Sequence, residues 1–369
     1  MTYSIVRVVF EFPPIVGGSV THIVELTKQI NSNLKQQIII APDFIGGKEL
    51  DCNFPIRVIR LPYLKLLSFG DFLIPSPILF FYAHSAVKEI KGLLKKGQTI
   101  DIIHVHGSML GSFIKMYCKI YNLKTPVIIM QHGYGVKNSI GHEISRKITS
   151  ALMKIFPPSY FLFLDDGNET EIIESKLKKI NIQYEMVYHG IDYNYFIPEE
   201  NCDEKIPFYV LYPHRPDNMK NPDLAIELFS LFLDKISIKN VKLIMLACDG
   251  KKNLKELATK LNIENYVEFL PKQKVSNVKK YMNLSSVIIG TSVESNMNRA
   301  IQEAMACEKP VIVFNSGGTN KLIKHLENGI LIKSGDLNEF ADKLKLLYEH
   351  PELRKTLGIN GRKTIILQR

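Results

Sequence analysis

The residues of this 369-residue chain best suited to chemistry gather in two stretches of its second half. The first is "TSVESNMNRAIQEAMACEKPVIVFNSGG", residues 291–318, with Glu294 and Glu303 separated by eight residues. Glu294 falls where a loop meets a helix, and Glu303 falls inside that helix. Carboxylate oxygens accept hydrogen bonds from sugar hydroxyls, and the first amides of a helix attract phosphate. The plainer alternatives are a capping or dipole partner for Glu294 and an exposed helix position for Glu303. The second stretch is "LYPHRPDNMKNPDLAIELF", residues 211–229. Its Arg215 can fork two phosphate oxygens and its Lys220 adds a point charge. The plainer alternative is a solvated loop.

The first half offers weaker signals. "EFPPIVGGSVTHIVEL" places Gly17 and Gly18 between a strand and a helix, where glycine lets a ligand approach the backbone or simply permits a tight turn. The dinucleotide fingerprint G-x-G-x-x-G is absent. "HVHG" (His104, His106) and "MQHG" (His132) each end a strand-like run, so these histidines are either structural or turned toward a ligand. No carboxylate or cysteine of suitable spacing accompanies them, which argues against a metal site. "DDG" at residues 165–167 reads as a helix cap rather than a metal-binding D-x-D.

These residues all follow short apolar runs. In the first half the runs are "SIVRVVF", "QQIIIAP", "DIIHVHG", "PVIIMQH" and "YFLFLD"; in the second, "FYVLYP", "VKLIMLA", "YVEFL", "SVIIG", "KPVIVF" and "NGILIK". Continuous apolarity fits parallel strands covered on both faces, and helical stretches such as "HIVELTKQINSNL" lie between them. The alternation predicts doubly wound parallel sheets. It pauses once, at the polar, acidic, proline-bracketed stretch "DYNYFIPEENCDEKIP", which predicts a linker at about residues 192–207 between domains spanning 1–195 and 196–369. In such sheets ligands bind beyond the carboxyl ends of the strands, where every candidate above lies.

Composition narrows the partners. A net charge of +10 and a pI of about 9.1 suit an anion: a nucleotide, a lipid headgroup or a nucleic acid. Nucleic acid is disfavoured, because there is no arginine-rich tail, zinc-finger spacing or RNP-like aromatic motif. Five cysteines without a CxxC pair point to a reducing, cytoplasmic setting. The chain starts directly on a strand-like run, so no signal peptide is expected. Its longest apolar region, residues 61–83, is interrupted by Lys65, Asp71, Pro75 and Pro77, so no membrane span is expected.

Taken in order, the motifs resemble the retaining glycosyltransferases of family four, which have the GT-B fold. The resemblance covers nearly the whole chain through "PPIVGGSVTHIVEL", "DIIHVHG", "QHG", "YHGIDYNYFIP", "HRPDNMKN", "ESNMNRAIQEAMACEKPVI", "NSGG" and "NGILIKSGD". It implies two Rossmann-like α/β domains facing a central cleft, the first on the acceptor side and the second binding a nucleotide-sugar. It further implies that Gly17 and Gly18 lie against the donor phosphates and that His132 stands near the transferred sugar. Arg215 and Lys220 would neutralise the leaving diphosphate, Glu303 would bind the ribose and Glu294 would meet the transferred sugar. Ser295, Asn296, Met297 and Asn298 would be donor contacts of the same loop, and His106 an acceptor-side candidate. No metal or cofactor is implied. The acceptor would be a glycan, a lipid-linked sugar or a small molecule. A non-catalytic nucleotide-sugar-binding protein and a sugar-phosphate synthase or phosphorylase share the fold.

The chain also departs from the family pattern. The family places seven residues between its two glutamates, a spacing that lands on Ser295 rather than Glu294. Lys321 stands where a glutamate is usual, and Cys248 where a glycine is. The last helix, which in the family crosses back to the first domain, is expected to be short or missing.

Residues 57–97 mix apolar side chains with Arg57, Arg60, Lys65, Lys88, Lys91, Lys95 and Lys96. Prolines rule out one continuous helix, so a loop with one or two helices is expected. Either the apolar residues are core and the lysines a solvated face, or the segment meets an anionic membrane surface carrying a lipid-linked acceptor.

Overall fold

The computed structural model describes residues 2–15, 18–52, 54–62, 77–132, 140–164, 170–187, 190–199, 207–237, 240–293 and 299–367. The chain divides into two compact units, with the main boundary between His189 and Gly190.

Among the described residues, the first unit holds a sheet of seven strands. They are β1 (Ser4–Val8), β2 (Gln36–Pro42), β3 (Arg57–Leu61), β4 (Ile102–His106), β5 (Val127–Gln131), β6 (Tyr160–Leu164) and β7 (Tyr184–Val187). Their order is β3-β2-β1-β4-β5-β6-β7, and every pairing is parallel. Central runs such as Ile38–Ile40 and Val127–Ile129 are apolar because both faces are covered. On one face Val6, Val8, Ile103 and Val105 pack with Ala83, Val87 and Ile90 of helix Pro77–Lys95 and with Ile114. On the other, Val9, Ile39 and Ala41 pack with Ile23 of helix Gly18–Gln29.

The second unit's described strands are β8 (Phe208–Tyr212), β9 (Val241–Met245), β10 (Val267–Phe269), β11 (Val287–Gly290), β12 (Val311–Asn315) and β13 (Ile330–Lys333). They run parallel in the order β10-β9-β8-β11-β12-β13. Val210 and Tyr212 point into a core with Phe229 and Phe232 of helix Pro222–Asp234, whereas Leu211 and Ile288 point into a second core with Ile301 and Met305. In each sheet the order reverses beside its first strand, at β1/β4 and at β8/β11. Those switch points are where open α/β sheets bind ligands.

The structure differs from the sequence expectation in two places. Residues 57–61 form an edge strand, not a loop or helix, because Arg60 is turned inward. Its guanidinium pairs with both carboxylate oxygens of Asp51 at 2.7 Å and donates to the carbonyls of Pro42 and Pro13. Arg60, with a side chain 3% exposed, therefore leaves the basic surface set, and Lys91 lies over the Tyr121 ring at 4.9 Å. Lys65 lies outside the described residues. Second, residues 190–197 are packed chain rather than a loose connection: Asp192 Oδ1 accepts from the amides of Asn194 and Tyr195, and Phe196 is buried in the second unit's core. The helix Pro351–Leu367 packs within the second unit, where its Arg362 donates to the carbonyls of Phe196 and Ala306.

Candidate functional site

In the second unit the chemistry-bearing loop begins where β8 ends. The chain turns back at Asp217, whose carbonyl accepts from the Lys220 amide at 2.9 Å. Asn221 takes a left-handed conformation (φ 45°), a geometry asparagine tolerates, and Pro222 starts the helix. The Lys220 carbonyl is held from two sides: Tyr212 Oη donates to it at 3.0 Å and Thr291 Oγ1 at 2.9 Å. Thr291 also reaches the Asn221 carbonyl at 2.8 Å, and Asn221 Nδ2 donates back to the Thr291 carbonyl at 3.2 Å. Side chains thus tie the loops after β8 and β11 together at the switch point.

Two cations in this loop differ sharply. The Lys220 side chain is largely buried. Burial lowers its pKa, Asp217 opposes the shift and Arg215 reinforces it. Arg215 is exposed and sits 3.7 Å from Asp217. His214, immediately before Arg215 in sequence, is 4% exposed and stacks edge-on against Tyr212. Burial, and secondarily the Lys220 charge, push its pKa down to about 3 against a hydrogen bond with the Ile289 backbone. Gly290 makes room for this ring: a Cβ there would lie 3.5 Å from His214 Nε2 and 3.1 Å from Val313.

Glu303 sits on helix Arg299–Ala306 with its side chain 13% exposed, so it is not an exposed helix position. Burial raises its pKa, while the Arg299 guanidinium, 2.8 Å from Oε1, works to keep it ionised. Glu294, Ser295, Asn296, Met297 and Asn298 lie outside the described residues. So do Gly17 and residues 165–167. Gly18 is the first residue of helix Gly18–Gln29.

In the first unit, strand register alone collects five side chains on one face. Arg7 pairs with His104, His104 with Ile128, and Ile5 with Gln37. Because alternate residues share a face, Gln37, Arg7, His104 and His106 project together, and His132 continues the same parity just after β5. The contacts follow. Arg7 Nε donates to Gln37 Oε1 at 2.7 Å, and Arg7 Nη1 meets His104 Nδ1 at 2.8 Å and His106 Nε2 at 3.3 Å. His106 Nδ1 lies 2.6 Å from His132 Nε2 with the rings stacked, and His22 packs edge-on against His132. Both ring nitrogens of His106 are therefore engaged. Its second nitrogen is taken up by His132.

The members of these clusters that the sequence reading did not single out include Arg7, His22, His214 and Thr291. Arg7 carried a usable signal, a lone cation within the otherwise apolar run "SIVRVVF". His214 was adjacent to Arg215 but looked like an ordinary loop residue. Thr291 and His22 become visible only through the pairing of β11 with β8 and the placing of the first helix.

Residues 197–364 match the family described as glycosyl transferases group 1. An uncharacterized glycosyltransferase of Haemophilus influenzae is 32% identical over 271 residues, covering 73% of this chain and 72% of its own. One of Methanocaldococcus jannaschii is 26% identical over 95% of this chain and 90% of its own. Among solved structures, Anabaena HepE in complex with UDP aligns over 99% of this chain and 95% of its own, with a TM-score of 0.75 and 18% identity.

Proposed function

This chain belongs to the glycosyl transferases group 1 family, and from that premise we propose that it moves a hexosyl unit from a nucleoside diphosphate sugar to an acceptor hydroxyl with retention and without a metal. The observation that carries the reading is Lys220, a desolvated cation whose own carbonyl is clamped by Tyr212 and Thr291 at the second sheet's switch point. In the proposed step the anomeric carbon–phosphate oxygen bond breaks and the acceptor oxygen bonds to that carbon from the same face. The acceptor proton passes to the departing phosphate oxygen. Negative charge grows on the diphosphate, and a fixed cation in a low-dielectric setting stabilises that growth more than it stabilises the ground state. Arg215 adds an exposed second charge, Glu303 takes the ribose hydroxyls and His132 serves the transferred sugar. HepE has been solved with UDP and also with UDP-glucose, which supports a uridine nucleotide as the first donor to try.

Among the described residues no helix is long and apolar enough to cross a membrane. We place the reaction in the cytoplasm, peripheral on an anionic membrane face that Lys88, Lys95 and Lys96 can meet, with a glycan or lipid-linked acceptor. The test is a thermal-shift panel of UDP-, GDP- and ADP-sugars followed by donor turnover with and without vesicles. One donor should raise the melting temperature by mass action and be hydrolysed or transferred. Stabilisation without turnover under any acceptor condition would refute catalysis.

A further inference from the structure

We propose that Arg7 is a positioning residue: through one guanidinium nitrogen it sets the tautomers of His104 and His106, and through His106 it makes His132 carry its proton on Nδ1. This rests on the reading that His132 serves the transferred sugar.

The argument is one of donors and acceptors. Arginine has five N–H donors and no acceptor. The two hydrogens of Arg7 Nη1 are directed to His104 Nδ1 and His106 Nε2, so both ring nitrogens must present lone pairs. His104 then holds its proton on Nε2, a buried atom with no hydrogen-bond partner among the described residues. His106 holds its proton on Nδ1 and donates it to His132 Nε2 at 2.6 Å. With that lone pair occupied, His132 has its proton on Nδ1. That Nδ1 is a buried atom, and His132 is barred from acting as a base through Nε2.

Arg7 itself is locked. Its Nε is taken by Gln37 Oε1, and Gln37 Nε2 is fixed in turn by the Thr27 carbonyl at 3.0 Å. No carboxylate pairs with Arg7 among the described residues, although it is 1% exposed. A bare buried cation is costly to keep, and hydrophobic replacement would commonly be neutral or stabilising. Burial holds His104 and His106 well below the ordinary histidine range, the Arg7 charge adding to it next for His104 and, for His106, behind the neighbouring His104 and His132 rings. The titratable groups facing the cluster are Arg7 on β1, His104 and His106 on β4, His132 after β5 and His22 on the first helix.

The direct test is long-range proton–nitrogen NMR on the intact protein labelled with ¹⁵N-histidine at pH 7.5, with peaks assigned by single His→Gln substitutions. The expected pattern is Nε2–H for His104 and Nδ1–H for His106 and His132. An Nε2–H or doubly protonated His106 overturns the proposal, and this readout needs no Arg7 variant to fold. The second measurement uses Arg7→Met, which keeps an unbranched apolar stem and loses every donor. Turnover should fall about 10²-fold, as for a misplaced contact at a reacting centre, and the acid limb of kcat/KM should move up in pH. Arg7→Lys should keep the acid limb low, because it keeps the charge. An unchanged histidine pattern in Arg7→Met reduces Arg7 to a packing residue and overturns the proposal. A changed pattern with unchanged turnover supports the tautomer assignment and refutes the sugar-side role of His132.

Discussion

Thr291 Oγ1 donates to the backbone carbonyl of Lys220 at 2.9 Å, although the two are 71 residues apart in sequence. The bond fixes the backbone of the loop to which we assign the diphosphate. Thr291→Val keeps the shape and removes the donor. A lost buried hydrogen bond costs about 1–3 kcal/mol, so the urea midpoint should fall accordingly. Turnover should fall with it, because the backbone that carries Lys220 loses one of its two side-chain clamps. Normal turnover at reduced stability would show that the clamp is structural only.

Lys220→Ala and Arg215→Ala should each depress turnover, by about 10²-fold or more for a charge-stabilising group. Lys220 should be the more severe of the two, because its side chain is largely buried whereas that of Arg215 is 62% exposed and screened by water. Steady-state kinetics on folded variants decides this. Near-wild-type rates for both would remove the diphosphate assignment.

For the carboxylates, Glu303→Ala should weaken free UDP and UDP-sugar alike, by about 10-fold or 1.4 kcal/mol for one lost pair of charge-assisted bonds. Isothermal titration reads both. Glu294→Ala should impair the sugar nucleotide only. If Ser295→Ala shows that selective loss and Glu294→Ala does not, the strict seven-residue spacing of the family holds here, and Glu294 is not the sugar contact.

Stability should fall with pH below about 6.5. His104, His106 and His214 are held neutral in the fold, whereas unfolded histidine titrates near pH 6.5. A histidine lowered in the folded state binds fewer protons there than in the unfolded chain. Its stabilisation is complete above pH 6.5 and is lost progressively on acidification, for His214 down to about 3. Each such site contributes up to about 1.4 kcal/mol per pH unit. Urea midpoints between pH 7.5 and 5 should show the slope, and His214→Gln should flatten it. A flat wild-type profile would mean that these rings are accessible to protons.

The apolar strands at the centre of each sheet were legible because burial on both faces leaves a continuous hydrophobic run. β3 and β7 were not, since edge strands mix polar residues, and Arg57 and Arg60 disguised one of them as surface. Arg215, Lys220, Glu303 and His132 were legible as residue types following strands. Their partners were not. His104 and Arg7 are 97 residues apart, and only the β1–β4 register makes them neighbours. The inward turn of His106 likewise depends on both ring nitrogens finding partners, which no linear spacing reveals.

The ten residues after His189 carry a further consequence. Phe196 fills a slot in the second unit, Arg362 grips its carbonyl, and Asn283 both donates to the Ile197 carbonyl at 3.1 Å and accepts from the Glu199 amide at 2.9 Å. The seam at which the polypeptide can be severed therefore does not coincide with the acidic, proline-flanked run that looks like one. A fragment beginning at Pro207 would leave a socket without its plug and two polar grips without anything to hold. One beginning at Gly190 carries its own stopper, and that is where an excised half, or an exchange of halves between related enzymes, has to be joined.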